Sequence, residues 1–187
     1  MLEISPKRAL QVVEPFLDEL FLAAGEAGED VALLCAVMLR ESIGGTILTP
    51  PGRNGRGDGG HGRGLFQIDD RGPFRHLIPP DGEDWPVLVQ ARAACHVLAT
   101  ARVELAAFAA LPIFERAVAC RYNAKLENVV RELELLAAGK KRPDGRDPDP
   151  DLVTTGKDYG SDVLRLRDLV RAARPERFPP PRPRNVA

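Results

Sequence analysis

The chain has 187 residues, 44% of them hydrophobic and 28% charged, and its 26 Lys+Arg stand against 27 Asp+Glu for a formal net charge of −1. That length reads as one compact domain that buries about two-thirds of its unfolded surface, so neither a disulfide nor a metal is needed to hold a core. The balanced charge excludes a protein that tracks nucleic acid or an anionic membrane by its overall field, and no segment approaches the roughly 18 consecutive apolar residues of a membrane span.

From Lys7 to Ala24, apolar residues Leu10, Val13, Phe16, Leu17, Leu20 and Phe21 recur at three- and four-residue spacing, one face of a helix. Pro15 inside that pattern predicts a kink or break. Glu14, Asp18 and Glu19 lie where a signal peptide needs an unbroken apolar stretch, so the chain reads as made in a cytoplasm. Asp30 is placed to cap the next helix, whose body Val31 to Leu39 is apolar all round and therefore central to the fold. The left-handed stop is expected at Gly44 and Gly45.

Seven glycines between Gly52 and Gly64 predict an irregular loop, with a small hairpin left open because glycine-rich ribbons hide their period. A long helix is expected from about Trp85 to Phe108, and Pro112 suits the first turn of another over Ile113 to Tyr122. Leu126, Val129, Val130, Leu133 and Leu136 mark a further helix ending at Gly139. The segment from Lys140 to Pro150 reads as a surface loop. Asp162, or Ser161 before it, is placed to cap a last helix reaching about Ala173, and residues 174–187, rich in proline, read as a disordered or extended tail. Three cysteines, Cys35, Cys95 and Cys120, sit in apolar helical patterns without metal-ligand spacing and read as buried free thiols. The class is mainly α.

Two strings carry little weight. Gly55, Gly57 and Gly60 satisfy GxGxxG but follow a helix and open no βαβ unit, and Arg56-Gly57-Asp58 arises readily in a Gly/Arg-rich loop. Three carboxylates are more informative. Glu41 closes the central apolar helix, where the negative helix end and an apolar wall both favour its protonated form, as a general acid requires. Asp58 lies among Arg53, Arg56 and Arg63 and many backbone N–H groups, surroundings that keep it ionised. Asp69 follows Leu65-Phe66-Gln67-Ile68 at the edge of an apolar segment. Carboxyl groups pushed apart in pKa by their surroundings are the arrangement that glycoside cleavage uses; the plain structural alternative is that Glu41 pairs with Arg40 or Arg71 and Asp58 turns a loop.

Four blocks in order, Ala36 to Ser42, Gly57 to Asp69, Tyr122-Asn123-Ala124 and Thr154 to Tyr159, resemble the goose-type lysozymes from about Val31 to Val170, with a more distant likeness to soluble lytic transglycosylases. The resemblance implies a lysozyme-like domain at 31–173, preceded by a helical extension at 1–30 and followed by the tail at 174–187, with the glycine-rich loop or hairpin beside the active-site cleft. It implies a peptidoglycan hydrolase in which Glu41 protonates the β-1,4 glycosidic oxygen between N-acetylmuramic acid and N-acetylglucosamine. Asp58 and Asp69 then position and activate water, and Gln67, Tyr122 and Asn123 line the sugar cleft. His61 in the loop is a further sugar-contact candidate beside a solvent-facing reading. A water between acid and base gives inversion. The alternatives are a lytic transglycosylase leaving 1,6-anhydro ends and a catalytically silent wall-binding module. No metal or organic cofactor is expected. The partners implied are peptidoglycan strands, and a holin, secretion machinery or an inhibitor protein; nucleic acid and stable membrane insertion are not expected. Arg121 and Lys125 depart from the family's small residue before, and glycine after, the Tyr122-Asn123-Ala124 block, adding charge beside the cleft.

Overall fold

A computed structural model describes residues 2–178; the proline-rich stretch 179–187, where the tail was expected, lies outside the described residues. The protein is mainly α with a minor three-stranded sheet. The chain divides into two compact units, one built from residues 4–95 and 166–178, the other from residues 2–3 and 96–165. Among the described residues no helix is long and apolar enough to cross a membrane.

The first unit opens with α1 (Pro6–Val13), whose N-terminus is capped by the Ser5 hydroxyl accepting the Arg8 N–H. The break expected at Pro15 is a 3-10 turn over Glu14–Phe16, after which α2 (Leu17–Ala27) ends on left-handed Gly28. Asp30 caps α3 (Val31–Ser42) through the Ala32 N–H, as anticipated. Every residue from Ala32 to Leu39 is buried, so α3 is the axis on which α1 and α2 pack. The helix stops on Ile43 at φ 49°, one residue ahead of the expected glycines. A β-branched residue in the left-handed region is a steric outlier, and here its N–H still closes on the Leu39 carbonyl.

The glycine-rich stretch contains the small hairpin that the sequence left open, enlarged by a third strand. It folds into antiparallel β1 (Arg56–Gly57), β2 (Gly62–Arg63) and β3 (Ile68–Asp69), in that spatial order. Backbone pairing of Thr49 with Arg56 extends the first edge. Glycine is required at two ladder positions for a contact reason: a Cβ on Gly57 or on Gly62 would overlap the Gln67 carboxamide lying over both.

The unit takes the first part of α4 (Val87–Glu104), which starts two residues later than the sequence indicates, and the last part of α7 (Tyr159–Ala173). Within it the Arg171 guanidinium pairs with the Asp30 carboxylate that caps α3. Phe178 is buried, its ring stacked on Phe21 with centroids 5.6 Å apart, so residues 174–178 of the expected tail turn back onto α2.

The second unit holds the rest of α4, a 3-10 turn at Ala106–Phe108, α5 (Phe114–Asn123) and α6 (Leu126–Ala137), with Leu98, Leu105, Val118, Val129 and Leu133 among its buried side chains. Pro112 precedes the first turn of α5 rather than occupying it. The start of α7 also corrects the sequence expectation: the helix begins at Tyr159, and neither Ser161 nor Asp162 is its cap. Asp151, buried in the 3-10 turn Pro150–Val153 shortly before the helix, accepts the N–H groups of Gly160 and Ser161 and the Ser161 hydroxyl, while the Cys120 thiol donates to the same carboxylate. Asp162 instead receives the Leu2 N–H and pairs with Arg165. All three cysteines are buried and free; burial pushes the Cys95 thiol up to about 12 and raises Cys35 and Cys120 as well.

Candidate functional site

Glu41 occupies the last turn of α3 and is half-buried, which is where an apolar helix presents a carboxyl at its negative end. The next residue ties that end to the sheet. The Ser42 hydroxyl, fully buried, donates to the Leu65 carbonyl at 2.7 Å and accepts the Gly45 N–H at 3.0 Å. Leu65 and Phe66 are buried and lead directly into β3, whose second residue is Asp69. The end of α3 and the start of β3 are thereby held together through one hydroxyl.

Gln90 fixes the same segment from the other side. Its buried carboxamide accepts the Leu65 N–H at 2.7 Å and donates to the carbonyls of Trp85 and Arg53 at 2.7 and 2.9 Å. The sequence reading held Ser42 only as the end of a motif block and passed over Gln90, since a lone polar residue in an apolar helix does not announce what it braces. A buried amide with its polar atoms satisfied is a specific brace, costly to remove.

Asp58 and Asp69 are brought together by a residue that the sequence left in a supporting role. Arg71 donates from Nη2 to Asp58 Oδ2 at 2.7 Å and to Asp69 Oδ2 at 2.7 Å, and from Nε to Asp69 Oδ1 at 3.0 Å. The Arg71 N–H adds a fourth bond, to Asp69 Oδ1 at 2.8 Å. Hydrogen bonding to Arg71 holds the Asp69 carboxyl below the usual carboxylate range, with the charges of Arg71 and His61 acting in the same direction. The expected neighbours of Asp58 are engaged elsewhere: Arg53 binds Asp84, while Arg56 and Arg63 both bind Asp81. Asp58 itself has φ 47° and Gln67 has φ 47°. With Ile43, three non-glycine residues of this unit hold the left-handed conformation around one corner of the fold. Such clustering of backbone strain is typical of functional sites.

Gln67 lies across the glycine face of the sheet and donates to the Gly64 carbonyl at 2.6 Å. The His61 ring nitrogen Nδ1 stands 3.0 Å from Asp70 Oδ1, so this loop histidine is oriented by a carboxylate while its side chain stays 45% exposed. Tyr122 and Asn123 belong to the second unit and close α5; the Asn123 carboxamide oxygen accepts the Thr155 N–H at 2.9 Å. Arg121, expected to add charge, is nearly enclosed, paired with Glu104 and bonded to the Ala124 carbonyl. Among the described residues no group of three or more His, Cys, Asp or Glu side chains is arranged to hold a metal ion.

What the corner offers chemically is a half-buried carboxyl at a helix end, in the same unit as two carboxylates that share a guanidinium. No family model matches the chain, and no curated protein matches it. That overturns the class vocabulary carried by the resemblance: hydrolase, glycosidase, lysozyme, muramidase, peptidoglycan, cell wall degradation, bacteriolytic enzyme and transglycosylase-like domain are more specific than anything the chain carries, and none is retained as a description of it.

Proposed function

We propose that the α3 end and the glycine-rich sheet border a cleft in which the protein cleaves a glycosidic bond of a β-1,4-linked amino-sugar strand by general acid/base chemistry. The carrying observation is the contrast between two kinds of carboxyl environment in one unit. Glu41 stands at the C-terminal end of a buried apolar helix, the setting of a proton donor. Asp69 is kept ionised by Arg71, the setting of a group that orients and deprotonates water.

In this reading Glu41 protonates the leaving oxygen as the bond to the anomeric carbon breaks. Asp69, with Asp58 beside it, accepts a proton from the water that attacks from the opposite face, giving inversion. Gln67 supplies a carboxamide on the sheet surface, and His61 adds a hydrogen-bonding edge for a polymer that the protein's neutral net charge does not draw in by field.

The test is end-group analysis. Purified N-acetylmuramic acid–N-acetylglucosamine strands, the substrate that the sequence resemblance indicates, and N-acetylglucosamine oligomers are incubated with the protein and the products weighed. New reducing ends support hydrolysis, whereas ends lighter by one water assign a transglycosylase. Glu41→Gln should lower the rate by about 10²-fold or more, the scale of a lost general acid, with an unchanged circular-dichroism spectrum. No new ends from any strand, or equal rates for Glu41→Gln and the unsubstituted protein, overturns the reading.

A further inference from the structure

A concavity lies on the face of the sheet away from Asp69. Arg56 and Arg63 are cross-strand partners, one register position away from the Gly57–Gly62–Asp69 row, so their side chains stand opposite Asp69. Beside them is a cavity of about 270 Å³, lined also by Asn54, Gly64 and Trp85. That is room for a small ligand or one group of a larger one.

Two features bear on what the cavity receives. Trp85 is only 4% exposed, yet its indole N–H is buried without an acceptor, and the Nε–H of Arg63 is likewise buried and unpartnered. Buried donors left unmatched within the chain cost on the order of 1–3 kcal/mol each until an acceptor reaches them. The second feature is the group now on the arginines. One oxygen of Asp81, Oδ1, accepts from Arg63 Nη1 at 2.7 Å and lies 2.9 Å from Arg56 Nη2.

Arg63 is fixed, with 12% of its side chain exposed, whereas Asp81 is 70% exposed. An exposed carboxylate on a surface pair is held weakly and is displaced at small cost. Hydrogen bonds from Arg56 and then Arg63 keep the Asp81 carboxyl below the usual range, so the position favours the ionised acid over the neutral one. The remaining acids here bear on selectivity: Asp70 Oδ2 stands 4.0 Å from Arg63 Nη1, Asp84 is bound by Arg53 and Asn54, and Glu83 lines the cavity, so a second negative charge on the ligand is disfavoured.

We propose that this pocket is a binding site for a small monocarboxylate, which replaces Asp81 across Arg56 and Arg63 beside Trp85. Asp81 is then a tethered competitor that occupies the arginines when no ligand is present. The carboxylate has two natural sources, an acid-bearing sugar or the C-terminus of a short peptide. The site stands apart from the cleavage reading, because binding at Trp85 and strand cleavage are read out separately and either can fail alone.

Trp85 is the only tryptophan of the chain, so intrinsic fluorescence reports on this wall and no other. The full chain is titrated with N-acetylmuramic acid against N-acetylglucosamine, which lacks the carboxylate, and with N-acetyl-alanyl-alanine against its C-terminal amide. The expected result is a saturable change with at least one acid and none with its neutral counterpart; which acid responds identifies the source. Asp81→Asn, at an exposed position, should tighten that acid about threefold or more by removing the competitor, and Arg56→Gln should abolish the response. Equal responses to acid and neutral partner, tighter binding of inorganic phosphate than of either acid, or unchanged affinity in Asp81→Asn overturns the proposal.

Discussion

Asp58 and Asp69 accept hydrogen bonds from the same nitrogen of Arg71, each at 2.7 Å, so the two carboxylate oxygens lie no farther apart than twice that distance. One guanidinium therefore sets the spacing of both aspartates, and it holds the Asp69 carboxyl below the usual carboxylate range. Arg71 follows Asp69 by two residues, and its own N–H caps the Asp69 carboxylate, which makes the arrangement partly local. The clamp keeps Asp69 ionised and also lowers its basicity.

Arg71→Gln should move the acidic limb of the pH–rate profile to higher pH. The sign follows from the direction of the shift: Arg71 lowers the Asp69 pKa, so its removal lets Asp69 take a proton at a higher pH and lose its role as base earlier on acidification. The same linkage makes any stability that Asp69 contributes fully present above the ordinary aspartate range and lost as pH falls through its lowered value. A titration of the Asp69 side-chain carbon by NMR, beside the rate profile, checks both. An acidic limb that stays in place in the variant removes Asp69 from the base role.

Gln90→Leu should destabilise the protein by about 2–4 kcal/mol, because the Leu65 N–H and the Trp85 and Arg53 carbonyls lose their partner at once. Leucine fills a similar volume, so the loss is one of hydrogen bonds rather than of packing. Urea unfolding followed by circular dichroism measures it. A loss below about 0.5 kcal/mol, within the range of an ordinary surface substitution, shows that the brace is dispensable.

Asp151→Ala should cost about 2–4 kcal/mol, since it strips the N-terminus of α7 of its cap and leaves the Gly160 and Ser161 N–H groups unsatisfied in a buried site. Asp151→Asn, which retains one acceptor oxygen but not the charge facing the helix dipole, should cost less. The ordering of the two variants in thermal melts tests the capping role directly.

The native protein should resist thiol-specific reagents at pH 8. Burial raises all three thiols and leaves no exposed thiolate to react. Labelling with a disulfide-exchange chromophore should be slow in buffer and complete to three equivalents in denaturant; a fast equivalent in buffer would reveal local opening around one cysteine.

The helical frame was legible because it is periodic and punctuated. Pro15, Asp30 and Gly139 mark a break, a start and a stop by backbone chemistry that acts within a few residues. The sheet was legible only as an open alternative, for the opposite reason: its strands are two residues long, and its glycines are set by the Gln67 carboxamide above them rather than by turn geometry. In the site, Glu41, Asp58 and Asp69 were found by residue type. Arg71, Ser42 and Gln90, which position the site's segments, were not read as braces, because a brace is defined by what it touches across the chain. The same blindness explains the exchange of capping residues at α7, where Asp151 reaches the helix from the 3-10 turn before it while adjacent Ser161 and Asp162 offered the obvious local signal.

The Arg171–Asp30 pair and the stack of Phe178 on Phe21 join the last described helix and the residues after it to the first third of the chain. Synthesis on the ribosome runs from the amino end, and domains fold as their segments emerge. The unit bearing Glu41 is therefore finished only after the intervening unit, residues 96–165, has already been made. Until residues 166–178 follow, the cap of α3 lacks its arginine and Phe21 lacks its cover. A chain cut short by premature termination after the second unit would carry every carboxylate of the proposed site and still lack the contacts that complete its scaffold.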